Sequence, residues 1–319
     1  MRAVQYDRYG PPEVLGITEI PTPRPGPGQV LVRVYAAGVG GGEPQVRSGR
    51  MRRVMRLRLP TGAGNEYVGE IERTGTGVER LQPGDRVWGV MPHLTFGAMA
   101  DYVAVPENLV GLIPDGLDAV SAAALPTSGT TMLTALIDKA VLRSGERLLV
   151  RGASGGLGSL AVQFGKSVGA HVTAFASARN LQWVRELGAD AVFDYRTTDP
   201  ADMEPFDVIF DTVGSDMPNY RRLVTRQGGR FIALAFDTEH IVTSFLFVGL
   251  GAIARRRKVL SFSNSPTVRE LDRLRDEVEA GHIRPVVDSV FKLDQVDEAH
   301  RRLEAGGVRG KYVIDMKRT

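Results

Sequence analysis

The sequence predicts an α/β protein: a doubly wound parallel sheet beside a small, partly open β-barrel. Three observations carry this. From Ser121 to about residue 262, short strand-like apolar runs alternate with stretches of helical spacing, the pattern of parallel strands joined by crossover helices. Residues 1–110 instead hold strand-like runs separated by Gly and Pro. Between a strand pattern and a helix pattern lies a glycine turn at 152–158.

The 319 residues are enough for two domains with substantial cores. Hydrophobic and charged fractions of 43% and 24% fit a soluble globular chain, and a net charge of +3 does not argue for a nucleic-acid partner. There is no cysteine, which excludes disulfides, thiol catalysis and every cysteine-ligated zinc site. His93, His171, His240, His282 and His300 show no ligand spacing, so no metal is expected. Met1–Tyr6 reads as a strand and not as a signal peptide. The apolar run Ile241–Ala254 is too short to span a bilayer, and with the basic cluster Arg255–Lys258 it reads as a buried or intersubunit helix ending in a charged turn, a membrane-surface helix being the alternative. A cytoplasmic protein with no membrane partner is expected.

In chain order, strands are predicted at Ala3–Tyr6, Val30–Ala36, Val68–Arg73, Arg86–Val90 and Ala100–Val105. Pro23, Pro25 and Pro27 make a stiff connection, and Pro83-Gly84-Asp85 a tight turn. Helical spacing follows at Thr130–Ala140. The parallel sheet is then predicted from Arg147–Arg151, His171–Ala176, Ala191–Phe193, Phe206–Asp211 and Arg230–Ala235. The tail reads as helix Val268–Ala280, strand Val286–Phe291, helix Leu293–Ala305 and strand Lys311–Met316, folding back on the barrel. Domain limits follow: 1–124, completed by 266–319, for the barrel and 125–265 for the parallel sheet.

The turn itself points to chemistry. Leu148–Val150 form a buried-strand run, Gly152, Gly155 and Gly158 follow as G-x-x-G-x-x-G, and Leu160, Ala161, Val162 and Phe164 give helical spacing. A helix starting here aims its free N–H groups and positive dipole end at an anion. Gly152, Ala153, Ser154, Gly155, Gly156, Leu157 and Gly158 are thus the expected cradle for a dinucleotide diphosphate, an ordinary strand–turn–helix corner being the alternative. After the second strand no acid appears before Glu186; Ser177 and Arg179 stand there instead, and Tyr195 follows the third strand. A hydroxyl and an arginine suit a 2′-phosphate, which selects NADPH over NADH. A solvated arginine at a helix start is the alternative for Arg179.

The chain resembles the zinc-free quinone oxidoreductase branch of the medium-chain dehydrogenase/reductase superfamily. The resemblance is carried by Pro23–Val39, Gly64–Gly89, Ala122–Leu136, Val150–Gln163, Leu187–Tyr195 and Gly310–Ile314. It implies a GroES-like catalytic barrel and a Rossmann domain, with NADPH in the cleft between them. It also implies hydride transfer to quinones or α,β-unsaturated carbonyls and a homodimer, with the stretch near Val259–Ser263 as an intersubunit strand. Val213, Gly214, Ala235 and Lys311 are counted with the coenzyme contacts. Zinc-dependent relatives carry Cys and His where this chain has Gly40 and Asn65, and quinone reductases usually carry Asn where Gly40 stands. The tyrosine proton donor of enoyl-thioester reductases has no counterpart in Gly49–Leu57.

Without a metal, charge developing on the acceptor oxygen needs a hydrogen-bond donor. Asn65 and Thr131 are the candidates, with a turn role and a helix cap as their alternatives. Tyr67 is a further substrate candidate, with strand packing as its alternative. No acid presents itself for carbon protonation. Arg47, Arg50, Arg52, Arg53, Arg56 and Arg58 crowd one loop, and Arg50 is the candidate grip for an anionic substrate, a solvated loop being the alternative. An enoyl-thioester reductase using that loop remains a second reading. A low-turnover dinucleotide-sensing or RNA-binding protein is a third, and the basic segments lack the interleaved aromatics that would stack bases.

Overall fold

The computed structural model describes residues 1–237, 240–253 and 258–317. Down the chain come β1 (Arg2–Tyr6), β2 (Gly16–Glu19), β3 (Gln29–Val39), α1 (Glu43–Arg47), β4 (Thr61–Gly62), β5 (Glu66–Thr74), β6 (Arg86–Val90), β7 (Tyr102–Pro106), β8 (Val110–Leu112), α2 (Ala119–Ala122) and α3 (Pro126–Leu133). Next are β9 (Arg147–Arg151), α4 (Gly156–Ser167), β10 (His171–Ala176), α5 (Leu181–Glu186), β11 (Ala191–Asp194), β12 (Val208–Asp211), α6 (Met217–Arg222), β13 (Arg230–Ala233), α7 (Ile241–Ala252) and β14 (Lys258–Leu260). The tail holds α8 (Val268–Glu279), β15 (Val287–Lys292), α9 (Val296–Ala305) and β16 (Lys311–Asp315). Two compact units result: residues 1–130 with 265–280 and 285–319, and residues 131–264 with 281–284.

In the first unit β3 is the spine. Its apolar run Val30–Val32 with Val34, and small residues Ala36–Gly38, let it pair antiparallel with β5, β7 and β16. Val30, Val32, Val34, Val103, Val105, Phe291, Tyr312 and Ile314 pack inside, where each buried aliphatic contributes roughly 1.5–3 kcal/mol. β1, β2 and β4 form a separate three-stranded antiparallel sheet.

The second unit is one parallel sheet in the order β11-β10-β9-β12-β13-β14. Leu148–Val150, Val208–Phe210 and Phe231–Ala233 are buried throughout, as central parallel strands require. The chain steps outward through β10 and β11, then crosses β9 to begin β12. The carboxyl ends of β9 and β12 therefore flank the point where strand order reverses, the place where such sheets bind ligands.

Several sequence expectations shift in detail. The helical spacing at Thr130–Ala140 belongs to α3, which starts at Pro126, followed by a wider turn with i→i+5 bonding at Thr134–Lys139. Proline suits that first helical position because its missing N–H would have no partner there. Phe206 makes only a single bridge, with Val224, before β12 begins. The predicted Val259–Ser263 strand is β14, ending at Leu260 at the sheet's edge. Arg255, Arg256 and Arg257 lie outside the described residues. Helix α7 leaves Phe245, Leu246 and Leu250 exposed along one face. No described helix is long and apolar enough to cross a membrane.

Candidate functional site

The glycine turn leaves β9 at Arg151 and enters α4 at Gly156, with Gly155 as N-cap. Gly152 has φ +76°, a conformation that only glycine adopts without strain. A Cβ on Gly158 would meet the Gly152 carbonyl and lie 2.8 Å from Ala153 Cα, so this glycine is what lets the helix seat on the turn. A Cβ on Gly155 would meet only the Gly152 carbonyl oxygen, at 3.6 Å. Ala153 is fixed by its N–H to the Phe175 carbonyl (3.1 Å), while Ser154, Gly155, Gly156 and Leu157 stay partly exposed. The open side of the turn is backbone and small side chains at a helix N-terminus.

The neighbouring strand ends gather here in sequence-predicted order. Ser177 follows β10; its Oγ is buried and has no hydrogen-bond partner among the described residues. Arg179 is exposed on the next turn. Tyr195, half exposed, follows β11, whose last residue Asp194 stands beside Ala176. Sequence reasoning passed over Asp194, because it sits on the third strand and not the second. Its Oδ1 is engaged by the Arg196 N–H at 3.0 Å.

Val213 and Gly214 follow β12, and Ala235 follows β13. Gly214 (φ +80°) passes so close to Ala235 that a Cβ would lie 2.7 Å from its carbonyl carbon. Beneath them is a network unread in the sequence. Asp211, fully buried, accepts Arg151 Nη1 at 2.8 Å and the Val213 and Gly214 N–H groups at 2.9 and 3.2 Å. Arg151 also donates to the Ser215 carbonyl and lies 3.5 Å from the Tyr220 ring centre. Burial pushes the Asp211 carboxyl up, and Arg151 with the two N–H groups pulls it back. The ion pair fixes the loop after β12 against the loop after β9.

In the barrel unit Asn65 immediately precedes β5 and is partly exposed, with its Oδ1 buried and unpartnered among the described residues. Its carbonyl accepts the Met91 N–H at 2.7 Å. Glu66 next to it is fully buried, ion-paired to Lys311, and accepts the Thr127 N–H at 2.9 Å. Lys311, expected among the coenzyme contacts, is thus buried in the barrel unit, with Ser128 Oγ 3.4 Å away. Tyr67 corrects the sequence expectation outright. It is 0% exposed and packed in the barrel core against Gly89, so it cannot touch a substrate; burial raises its hydroxyl's pKa.

The arginine loop divides. Arg47 belongs to α1, is 2% exposed and pairs with Glu304 at 2.5 Å, so it leaves the loop's surface. Arg50, Arg52, Arg53, Arg56 and Arg58 are exposed and form no ion pair with any described acid; Arg50 reaches Gln45 Oε1 at 3.4 Å. Thr131 lies well inside α3, in the second unit by packing, which removes the cap alternative. A buried group lies behind Gly40. Glu43 accepts the Gly40 N–H at 2.8 Å, and its Oε2 is 3.6 Å from His300 Nε2. No three described His, Cys, Asp or Glu side chains converge as a metal site requires.

Residues 26–115 match the alcohol dehydrogenase GroES-like domain, and residues 187–314 match a family described as zinc-binding dehydrogenase. A mitochondrial NAD(P)H oxidoreductase of Danio rerio is 31% identical, over 99% of this chain and 91% of its own. A 2-methylene-furan-3-one reductase of Solanum lycopersicum is also 31% identical, over 98% and 79%. The quinone oxidoreductase of Coxiella burnetii superposes with a TM-score of 0.88 at 28% identity, covering 99% of both chains. The fold, the glycine turn and these relatives together place the chain in the quinone oxidoreductase branch of the medium-chain dehydrogenase/reductase superfamily.

Proposed function

We propose that this protein is an NADPH-dependent reductase that delivers hydride to quinones or α,β-unsaturated carbonyls with no metal ion. The observation that carries it is the cradle at the β9 end, where Gly158 seats α4 on the Gly152 backbone and leaves Gly155 open. These residues fit a diphosphate: small side chains, a helix dipole and an orphaned Ser177 hydroxyl nearby. The family relatives named as NAD(P)H and furanone reductases support the same reading.

The bound nicotinamide would supply the hydride. Gly152 to Gly158 hold the diphosphate, Ser177, Arg179 and Tyr195 the adenosine 2′-phosphate end, and Val213, Gly214 and Ala235 border the same strand ends. Asn65 donates to the acceptor oxygen as negative charge develops on it. Gly40 and Asn65 supply neither thiolate nor imidazole, so the donor set is wrong for zinc.

Purified protein should oxidise NADPH with 1,4-benzoquinone, unaffected by chelators. Replacing Arg179 with alanine should weaken NADPH binding about tenfold while leaving NADH binding unchanged. Calorimetry that detects uptake of neither coenzyme, or a requirement for stoichiometric zinc, would sink the reading.

The five exposed arginines favour a refinement of the acceptor. Together they contribute +5 where the whole chain has a formal charge of +3, so the remainder carries 3 − 5 = −2. Such a local field attracts phosphate- or carboxylate-bearing acceptors, thioesters included. Changing Arg50, Arg52 and Arg53 to alanine should raise KM for anionic acceptors about tenfold and leave neutral quinones unaffected. Equal effects on both would remove this refinement. A cytoplasmic homodimer belongs to the same proposal, with the open edge of β14 and the apolar face of α7 as its support. Sedimentation and cell fractionation check it.

A further inference from the structure

We propose that Glu43 is the acid of this reductase, storing the proton that the acceptor takes up when it is reduced. The inference rests on the reading above, in which Asn65 faces the acceptor. Reduction adds a hydride and a proton to the acceptor, and Glu66, the acid next to Asn65 in sequence, is buried and ion-paired to Lys311. Glu43 is buried at the head of α1 and lines a pocket with Tyr6, Arg47, Gly64, Phe96 and His300.

The geometry gives the carboxyl two faces. Oε1 accepts the Gly40 N–H at 2.8 Å. Residue 40 stands beside both this oxygen and Asn65: a Cβ there would lie 3.0 Å from Glu43 Oε1 and 3.6 Å from Asn65 Oδ1, and glycine places no side chain between the two groups. Oε2 is 3.6 Å from Nε2 of His300, which lines the pocket together with Glu43. The terminal carboxyl torsion of glutamate is broad and roughly two-fold, so a half-turn exchanges the oxygens. A proton loaded on Oε2 from the pocket side is carried to the Gly40 side and released there. The O–H bond breaks, the reduced acceptor's anion takes the proton, and the carboxylate reloads from solvent through the pocket.

The surroundings keep this carboxyl protonated. Burial pushes Glu43 up to about 7, and the Glu66 carboxylate from β5 adds to the shift. The Gly40 N–H and Lys311 from β16 oppose it. His300 from α9 is held down to about 4, by burial first and then by Arg47, so it is neutral and cannot neutralise a Glu43 carboxylate. Tyr6 from β1 is raised by burial and stays a phenol. Arg47 is committed to Glu304 through Nη2, while its Nε and Nη1, and both His300 nitrogens, have no partner among the described residues. Arg47, with N–H donors, and His300, a neutral imidazole with one donor and one acceptor nitrogen, line the pocket beside the acid.

The sign of the pH dependence follows. Acidic Glu43 is the active form, so turnover is full below about pH 7 and falls above it. Glu43→Gln preserves the acceptor for the Gly40 N–H but carries no transferable proton. Its kcat should fall roughly 100-fold and lose the break near neutrality, with NADPH affinity unchanged. Infrared difference titration of the coenzyme-free protein provides a readout independent of turnover. A protonated carboxyl band should disappear near neutral pH in the parent and be missing in Glu43→Gln. A rate within threefold of the parent with the same pH profile, or a band that titrates in the ordinary carboxylate range, overturns the assignment. If the parent itself never oxidises NADPH, the reductase reading falls and takes the proton role with it; oxidation that survives Glu43→Gln removes the proton role alone.

Discussion

Replacing Gly155 with alanine abolishes tight NADPH binding while leaving the unfolding temperature within about 2 °C of the parent. The new methyl group has room, since its nearest neighbour would be the Gly152 carbonyl oxygen at 3.6 Å and the residue's φ of −77° suits any amino acid. On the proposed reading a diphosphate takes that room for backbone contact, so affinity should fall about 100-fold, equivalent to about 2.8 kcal/mol. Gly158→Ala behaves differently. Its methyl group would press on the Gly152 carbonyl and on Ala153 Cα, backbone atoms that cannot swing aside. Overpacking of this kind costs about 1–3 kcal/mol, so stability and binding fall together. Fluorescence titration with NADPH and thermal unfolding of both variants check the pair. Unchanged coenzyme affinity in Gly155→Ala would show that the turn does not receive the diphosphate.

Lys311→Met should destabilise the barrel unit by about 3–5 kcal/mol, because Glu66 would then be a buried charge without its ion-pair partner. Glu66 has 0% exposure, and its remaining bond is to the Thr127 N–H. Changing Glu66 to Gln as well should recover most of the loss, since a neutral amide removes the unpaired charge while keeping an acceptor. Denaturant unfolding of the three variants decides it. A single variant that unfolds like the parent but binds NADPH poorly would return Lys311 to the coenzyme contacts expected from the sequence.

Local patterns were legible where one cause acts alone. Arg86–Val90, Arg147–Arg151 and His171–Ala176 have the same bounds in sequence pattern and structure, because apolar runs bounded by turn residues fix each strand without help. The turn at 152–158 was legible for a similar reason: Gly152 takes a positive φ and Gly158 leaves no room for a Cβ. Tyr67 was misread because the first half of β5 is buried on both faces, so alternation says nothing about which side faces a ligand. Arg47 looked like part of a solvated basic run. It is buried because Glu304, 257 residues away, meets it in the fold. Arg151 and Asp211, 60 residues apart, escaped notice in the same way. Glu43 was invisible as an acid, since its environment comes from β1, β5, α9 and β16. Pairings of distant residues leave no periodicity to read.

The barrel unit draws on residues 1–130 and on 265–280 and 285–319, with β16 hydrogen-bonded to Ala36–Val39 of β3. On a ribosome, which releases the amino end first, β3 must wait for more than 270 further residues before that partner emerges. The parallel sheet is spelled out almost entirely within residues 131–264 and can close much sooner. Until residues 311–315 emerge, the Ala36–Val39 stretch of β3 lacks that partner and is an unsatisfied strand edge, the kind that captures other nascent chains. Synthesis is therefore the stage at which this architecture is most exposed to aggregation.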